Sequence, residues 1–481
     1  MSETQNGQSS STSTESLSDE ELRKSLKPNP CEDEVVECIR RSYTKDGDES
    51  VVVKIIKQLE SYDDANYLVD IAGEKFLAKV HNGVESEQYL TSLKGKDGKD
   101  SCSGVSSIDL QNAIFNHLNQ EQYGITTSLP IRSSLPTNSL VSVHSLPVIS
   151  LSHSPRNLVL RVLKWVHGQP MSSMKFLPIE SLLHAGTYLG KICHALDDLT
   201  NTNEKARKSA DRYHAWDGRN FLDVEQFLPC ITNDSRRQLV KKVMHDFRRH
   251  LVDSKEEFRK GILQADFNDA NIIMGEDGNV SGVIDFGDST LSWRVLDITV
   301  AMAYAMISSY GKDNRSISAA AAMLRGFHSV YPLTTIERKY LRLLIATRLS
   351  TSVTLGAYSY QQNPQNEYLL FHAEPAWKVL ELLYSQVDDA DNNIGMAIDK
   401  VFHIACHPIK HDKIDSNITC SDISMPDPSI PDHLLRARVS SLSFSPLIEN
   451  INQPVKKKMK SDDEISHDET TAQHRPQTIT F

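Results

Sequence analysis

Residues 264–288 read QADFNDANIIMGEDGNVSGVIDFGD, and the rest of the chain is best read outward from them. Two short apolar runs, Ile272–Met274 and Val280–Ile284, flank Gly275-Glu276-Asp277-Gly278, a hairpin signal. Ahead of the hairpin, Asp266 opens the pattern Asp-(four residues)-Asn that closes at Asn271; behind it stands Asp285-Phe286-Gly287. A hairpin joins its strands at one end only. Asn271 and Asp285 therefore emerge together from the open end, beside the loop that carries Asp266. Hard oxygen donors of this kind suit Mg²⁺, which keeps several waters and takes few protein ligands.

Phosphoryl transfer asks for this arrangement: a base at the acceptor hydroxyl, and oxygen ligands holding the metal on the β- and γ-phosphates. Asp266 fits the base, and Asn271 with Asp285 the metal ligands. Each fragment alone is commonplace, since Asp and Asn clusters mark turns. Taken in order around a hairpin, they form the kinase pair of motifs. Such a site also needs a strand lysine for the phosphates and an acid to hold it. Lys79, in Phe76-Leu77-Ala78-Lys79-Val80, fits the lysine, and Asp109, in a helix read over Ile108–Asn119, fits the acid; Glu85 and Glu87 compete for the same lysine. No GxGxxG precedes Lys79. The turn Ser61–Asn66 stands there instead, with Ser61 and backbone N–H groups available to phosphates. A P-loop is excluded, because Asp288 occupies the lysine position after Gly282 and Gly287.

The chain has 481 residues, a net charge of -11 and a mean hydropathy of -0.38 with 39% hydrophobic residues. This combination predicts a globular body diluted by polar tails. The charge argues against a general nucleic-acid binder, which needs a basic face. Seven scattered cysteines without a CxxC predict free thiols. No apolar leader opens the sequence, and the most apolar window, Asp297 to Ser308, is too short to span a bilayer. The expectation is a soluble cytoplasmic protein. Residues 1–27 and 420–481 read as disordered tails. Between them, 28–165 read as a β-rich nucleotide-binding lobe, with strands over Val51–Glu60, Ala65–Ala72, Phe76–Val80 and Asn157–Val166 and loops over 92–107 and 132–156. Residues 166–419 read as a helical catalytic lobe, with the hairpin embedded in it. Its clearest helix carries Leu182, Ala185, Leu189, Ile192, Leu196 and Leu199 at spacings of three and four. The fold class expected is α+β, two-lobed and protein kinase-like.

Gln264–Asn271 with Ile284-Asp285-Phe286-Gly287-Asp288 resembles the aminoglycoside phosphotransferase and choline kinase-like family. The likeness extends to Glu60–Asn66, Ile108–Asn112, Leu160–Leu163, Pro332-Leu333-Thr334 and the segment from Arg348 to Tyr358. The resemblance implies a kinase for a small amine-bearing alcohol, 5-hydroxy-L-lysine, with GTP as donor, Mg²⁺ as cofactor and a cytoplasmic location. It implies Asp266 as base, Asn271 and Asp285 on the metal, Lys79 on the phosphates, Lys164–Val166 presenting backbone groups to the purine, and Asp297 bracing the catalytic loop. Two departures stand out. Gln264-Ala265 replaces the family's His-Gly; Gln264 can still donate and accept hydrogen bonds, but Ala265 is strained if its φ is positive. Asp109 stands where a longer Glu is usual.

A doubly cationic acceptor calls for further carboxylates, for which Asp288, Asp269 and Asp217 are candidates, while Arg348 suits a substrate carboxylate. Each has an ordinary salt-bridge reading beside it. ATP in place of GTP, and choline, ethanolamine or an aminoglycoside as acceptor, remain alternatives; choline would call for an aromatic cage, with Trp216, Trp293 and Trp377 to draw on. An alternative of another class is a pseudokinase that only binds. His403, Cys406, His407 and His411 match no standard zinc spacing, and Lys456-Lys457-Lys458 reads as part of a mixed-charge tail.

Overall fold

The strand alternation in the first third of the chain builds a single sheet. In the computed structural model, which describes residues 19–45, 50–59, 61, 63–94, 106–135, 139–149, 154–174, 177–252, 257–311, 315–362, 373–384 and 394–407, two compact units form. One is drawn from 1–103 and 131–163, the other from 104–130 and 164–481.

The first unit holds α1 (Asp19–Ser25), α2 (Glu32–Tyr43), β1 (Val53–Leu59), β2 (Ala65–Ile71), β3 (Glu74–Val80), α3 (Gly83–Lys94), β4 (Ser142–Leu146) and β5 (Arg156–Lys164). The strands form one sheet in the order β1-β2-β3-β5-β4. Tyr67 and Val69 of β2 point inward with Ala78 and Val80 of β3 and Leu158, Leu160 and Val162 of β5, and Val35 and Ile39 of α2 join this core. Side chains two apart share a face, so the Tyr67–Val69 alternation commits that side of β2 to burial. Asn66 pairs with Lys79 across β2 and β3, and this register places the lysine one strand from the Ser61–Asn66 turn.

Three expectations change here. Residues 19–27 are not tail: α1 forms, Arg23 binds Asp63 at 2.9 Å and Glu85 at 2.7 Å, and Lys27 donates to the Ser61 carbonyl. The Ser-rich stretch 132–156 contains β4, whose Ser142–Leu146 register against β5 supplies the hydrogen bonds that its polar composition concealed. Residues 104–130, expected in the sheet lobe, belong with the helical unit, because the apolar face of their helix is buried there. Residues 1–18 of the first expected tail and all of the second, 420–481 with its lysine run, lie outside the described residues, as do 408–419 with His411, Glu60 and Tyr62.

The second unit holds α4 (Ser107–Leu118), β6 (Gln169–Pro170), α5 (Ile179–Thr202), α6 (Glu204–Ala210), a run of 3-10 turns (Gly218–Cys230), α7 (Asp234–Leu251), β7 (Lys260–Ile262), β8 (Ile272–Met274), β9 (Val280–Val283), β10 (Leu291–Trp293), α8 (Val295–Ser309), α9 (Ser316–Val330), α10 (Thr335–Lys339), α11 (Leu341–Gln362), α12 (Ala373–Leu383) and α13 (Ile394–Ala405). The stripe on α5 is buried throughout, Leu182 to Leu199. Each leucine so buried contributes about 1.5–3 kcal/mol. The helix meets α9 backbone to backbone: a Cβ on Gly186 would stand 1.9 Å from the Met323 carbonyl, and one on Gly326 1.9 Å from that of Leu183. Helix α8, apolar all round, forms the centre, with Asp297 fully buried in its first turn. Among the described residues no helix is long and apolar enough to cross a membrane. Phe115 of α4 packs edge-on against Phe286, 5.4 Å between centroids, tying α4 to the Asp285-Phe286-Gly287 turn.

Candidate active site

β8 and β9 form the expected hairpin, with Ile272 opposite Val283 and Ile273 opposite Gly282. Its open end is clamped by a backbone bond from Ile284 N–H to the Asn271 carbonyl, 3.0 Å. Asn271 and Asp285 therefore leave the hairpin side by side. The loop before β8 is built on its own side chains. Asn268 Oδ1 accepts from the backbone N–H groups of Ala270 and Asn271, and the Asn271 Nδ2 donates to Asp266 Oδ2 at 2.9 Å and to the Asp266 carbonyl at 3.0 Å. Asp266 Oδ2 also accepts from Asn268 Nδ2 at 2.8 Å. The amide of Asn271, used this way, leaves its Oδ1 for another partner.

Around this loop stands a buried frame. Gln264 does what the sequence asked of it. Its Nε2 donates to the Asp285 carbonyl at 2.7 Å while its Oε1 accepts from Asp266 N–H at 2.8 Å, bridging the two motifs. Asp297 Oδ1 accepts from Ala265 N–H at 2.8 Å, and its Oδ2 faces Arg294 at 3.6 Å and Cys193 Sγ at 3.5 Å. Burial pushes the Asp297 carboxyl up, against the pull of the Arg294 guanidinium. Arg294 in turn binds Asp197 and the Ile262 carbonyl, fixing β7 beside β10. Ala265 has φ of +71° and Asp285 φ of +58°. A left-handed alanine costs about 1 kcal/mol relative to glycine, so the departure from His-Gly does carry strain. Asp tolerates this region better than most residues, and Asp285 Oδ1 accepts from Gly287 N–H at 2.9 Å.

Asp266 sits at the centre of opposing fields. Burial, with the negative charges of Asp288 and Asp285 nearby, pushes its carboxyl up to about 7, while Arg348 pulls the other way. Arg348 reaches from α11 to place Nη2 2.9 Å from Asp266 Oδ1. Asp285 and Asn271 offer hard oxygens whose type and number fit Mg²⁺, which relies on substrate phosphates and water for its other positions. The Oδ1 of Asn271, which has no hydrogen-bond donor among the described residues, and the acid-rich surroundings agree with a cation there. Among the described residues no three His, Cys, Asp or Glu side chains converge as a metal site of their own, including His403, Cys406 and His407.

The remaining substrate candidates have structural partners. Asp269 Oδ2 accepts from Ser308 at 2.5 Å; buried Asp217 accepts from Ser292 Oγ at 2.6 Å and binds Arg219. Asp288 faces His214 at 3.5 Å with about a third of its side chain exposed, and it is near enough to raise Asp266 electrostatically. The tryptophans are also engaged. Trp293 stacks on Phe258 at 4.9 Å, Trp377 carries Arg236 at 5.1 Å and Trp216 carries Arg348 at 4.6 Å.

In the first unit, Lys79 Nζ stands 2.8 Å from Asp64 Oδ2. Asp64 Oδ1 accepts from Asn82 N–H at 2.9 Å and faces His81 at 3.8 Å. Sequence reading missed Asp64 as the lysine's partner, giving the Ser61–Asn66 turn to the phosphates through Ser61 and backbone N–H groups. The signal was its diagonal position from Lys79 across β2 and β3. Asp109 belongs to the second unit, where its N–H donates to the N-cap Ser106 at 3.1 Å and its carboxylate accepts from the same hydroxyl. Ser61 Oγ accepts from Asp64 N–H. Lys164 donates its N–H to the Leu129 carbonyl at 2.8 Å, and Val166 is buried.

Residues 140–342, which include the hairpin with Asp266, Asn271 and Asp285, match a phosphotransferase enzyme family. These matches support a phosphotransferase acting on an alcohol group, and the chain has a kinase-like fold of one β-rich and one helical unit. More particularly, it is similar to hydroxylysine kinases. That of Mus musculus is 27% identical over 351 residues, covering 71% of this chain and 88% of the relative, and that of Bos taurus is 28% identical over 343 residues, covering 69% and 85%. Among solved structures, an amicoumacin kinase in complex with AMP-PNP and Ca²⁺ matches at 14% identity and a TM-score of 0.49, covering 76% of this chain and 94% of that one.

Proposed function

We propose that the protein transfers the γ-phosphoryl group of GTP to the hydroxyl of 5-hydroxy-L-lysine in the cytoplasm. The observation that carries this reading is the Asp266–Asn271–Asp285 constellation on one hairpin, in a chain similar to hydroxylysine kinases over most of their length. Asp266 acts as base, accepting the proton of the attacking hydroxyl. Asn271 Oδ1 and Asp285 hold Mg²⁺, which when bound neutralises charge on the phosphates. Lys79, kept in place by Asp64, meets the nucleotide phosphates, with Ser61 and the Lys164–Val166 backbone as further nucleotide contacts. Asp288 receives a substrate ammonium. Choline is the weaker acceptor candidate, because Trp216, Trp293 and Trp377 each already pack on another side chain.

Purified protein is to be assayed with GTP and ATP against 5-hydroxylysine, ethanolamine, choline and an aminoglycoside, with Mg²⁺ present and then removed by chelation. Metal-dependent release of GDP with 5-hydroxylysine is expected to exceed that with every other pair. A faster reaction with another acceptor would reassign the substrate, and no turnover with any pair would favour a binding module over an enzyme.

A further inference from the structure

Arg348 suits a substrate carboxylate by its chemistry, yet the structure turns it elsewhere. Its guanidinium is buried, 7% exposed, and clasped by aromatic rings: Trp216 lies 4.6 Å away and Tyr304 5.5 Å. Nη2 donates to Asp266 Oδ1 at 2.9 Å and to the Tyr304 hydroxyl at 3.3 Å. Nε and Nη1 have no hydrogen-bond partner among the described residues. A small cavity lined by Trp216, Ala265, Leu344, Thr347, Arg348 and Thr351 lies alongside.

We propose that Arg348 is a positioning residue for the reaction proposed above, holding the Asp266 carboxylate in the one orientation that can meet the acceptor hydroxyl. The proposal rests on that reading of Asp266. Oδ2 is held by the amides of Asn268 and Asn271, both on the same loop. Oδ1 is held by Arg348, which comes from a long helix 82 residues away in sequence. The loop amides hold Oδ2 only; with the guanidinium on Oδ1, both oxygens of the carboxylate are held. Arginine suits the post because its plane stacks on Trp216 while its edge meets the carboxylate, which a lysine ammonium cannot do together. A substrate carboxylate on Arg348 would compete for the group that balances Asp266 against Asp285 and Asp288. Base orientation and substrate recognition thus compete for one side chain, and the geometry gives it to the base.

The test is steady-state kinetics on the full chain with GTP and two acceptors, 5-hydroxylysine and its decarboxylated counterpart. Arg348→Met is expected to lower kcat on the order of 100-fold for both acceptors, the scale of a misplaced reacting group. KM for GTP and for each acceptor should stay within about twofold, as loss of a transition-state interaction requires. Arg348→Lys should lose less. Trp216→Leu, which leaves every charge in place, should lower kcat in the same direction. Guanidinium ion added to Arg348→Ala should restore part of the rate, which a merely structural role would not allow. A rise in KM confined to 5-hydroxylysine would make Arg348 a carboxylate receptor and overturn the proposal, as would an unchanged kcat. Should the wild-type protein phosphorylate neither acceptor, the proposed function fails by itself. The Arg348 variants are then compared on hydrolysis of GTP by water, where a matching fall in kcat supports positioning and an equal rate overturns it.

Discussion

Two partly buried aspartates, one in each unit, meet opposite fates. Burial disfavours the charged form of both. Asp64 has Lys79 and His81 beside it and an N–H from Asn82, and these hold its carboxyl well below the usual carboxylate range. Asp266 has a single cation, Arg348, set against Asp288 and Asp285, and its carboxyl rises to about 7. The neighbours, more than depth, decide the outcome. An aspartate paired with a lysine and hydrogen-bonded by its neighbours becomes a fixed anion; one among other acids is raised toward neutrality. The first fits a scaffold for Lys79, the second a site whose charge is completed by metal and substrate.

The comparison breaks first at the proposed metal ligands. Asp285→Ala is expected to abolish Mg²⁺-dependent turnover while leaving the fold intact, measured as GDP release alongside circular dichroism. Unchanged turnover would place the chemistry elsewhere. Asp64→Asn should instead act on stability. It leaves Lys79 largely buried without its carboxylate, and the loss should be about 3 kcal/mol, as for a broken buried pair. The sign follows from linkage: a depressed folded pKa contributes stability above the ordinary value of 3.8, and that contribution is lost as pH falls through the folded value. Urea unfolding of both proteins should show the full gap at neutral pH and a shrinking gap below about pH 4. A gap that does not shrink would mean Asp64 is not the stabilising anion. The smallest effect is Ala265→Gly, which relieves a left-handed φ and should raise stability by about 0.5–1 kcal/mol. A loss of the same size in urea unfolding would show that the loop tolerates Ala265 without strain.

What the sequence made legible was local. The hairpin and the spacing of Asp266, Asn271 and Asp285 could be read because their partners lie within about twenty residues; Gln264 bridges to Asp285 over 21 positions, and Asn271 reaches Asp266 over five. The strand alternation in β2 and the stripe on α5 followed from period alone. What stayed hidden was long-range pairing or polar strand chemistry. Arg348 to Asp266 spans 82 residues, and Arg23 to Glu85 spans 62, so no local pattern announces either. α1 looked like tail because its seven residues carry almost no apolar sequence, and it is held by ion pairs from Arg23 to Asp63, just ahead of β2, and to Glu85 of α3. β4 looked like loop because Ser142 and Ser145 weaken the apolar signal that backbone pairing with β5 makes unnecessary. Asp64 lay in plain view yet read as turn chemistry, since its partner is fixed by register across a sheet.

The most direct test of the catalytic assignment is ³¹P NMR of 5-hydroxylysine incubated with GTP, Mg²⁺ and either wild-type protein or Asp266→Asn. The wild type should yield a phosphomonoester resonance matched mole for mole by GDP, and the variant should slow this by about 10³-fold, the scale of a lost general base, while still binding GTP. A phosphomonoester formed at the wild-type rate by Asp266→Asn would contradict the account.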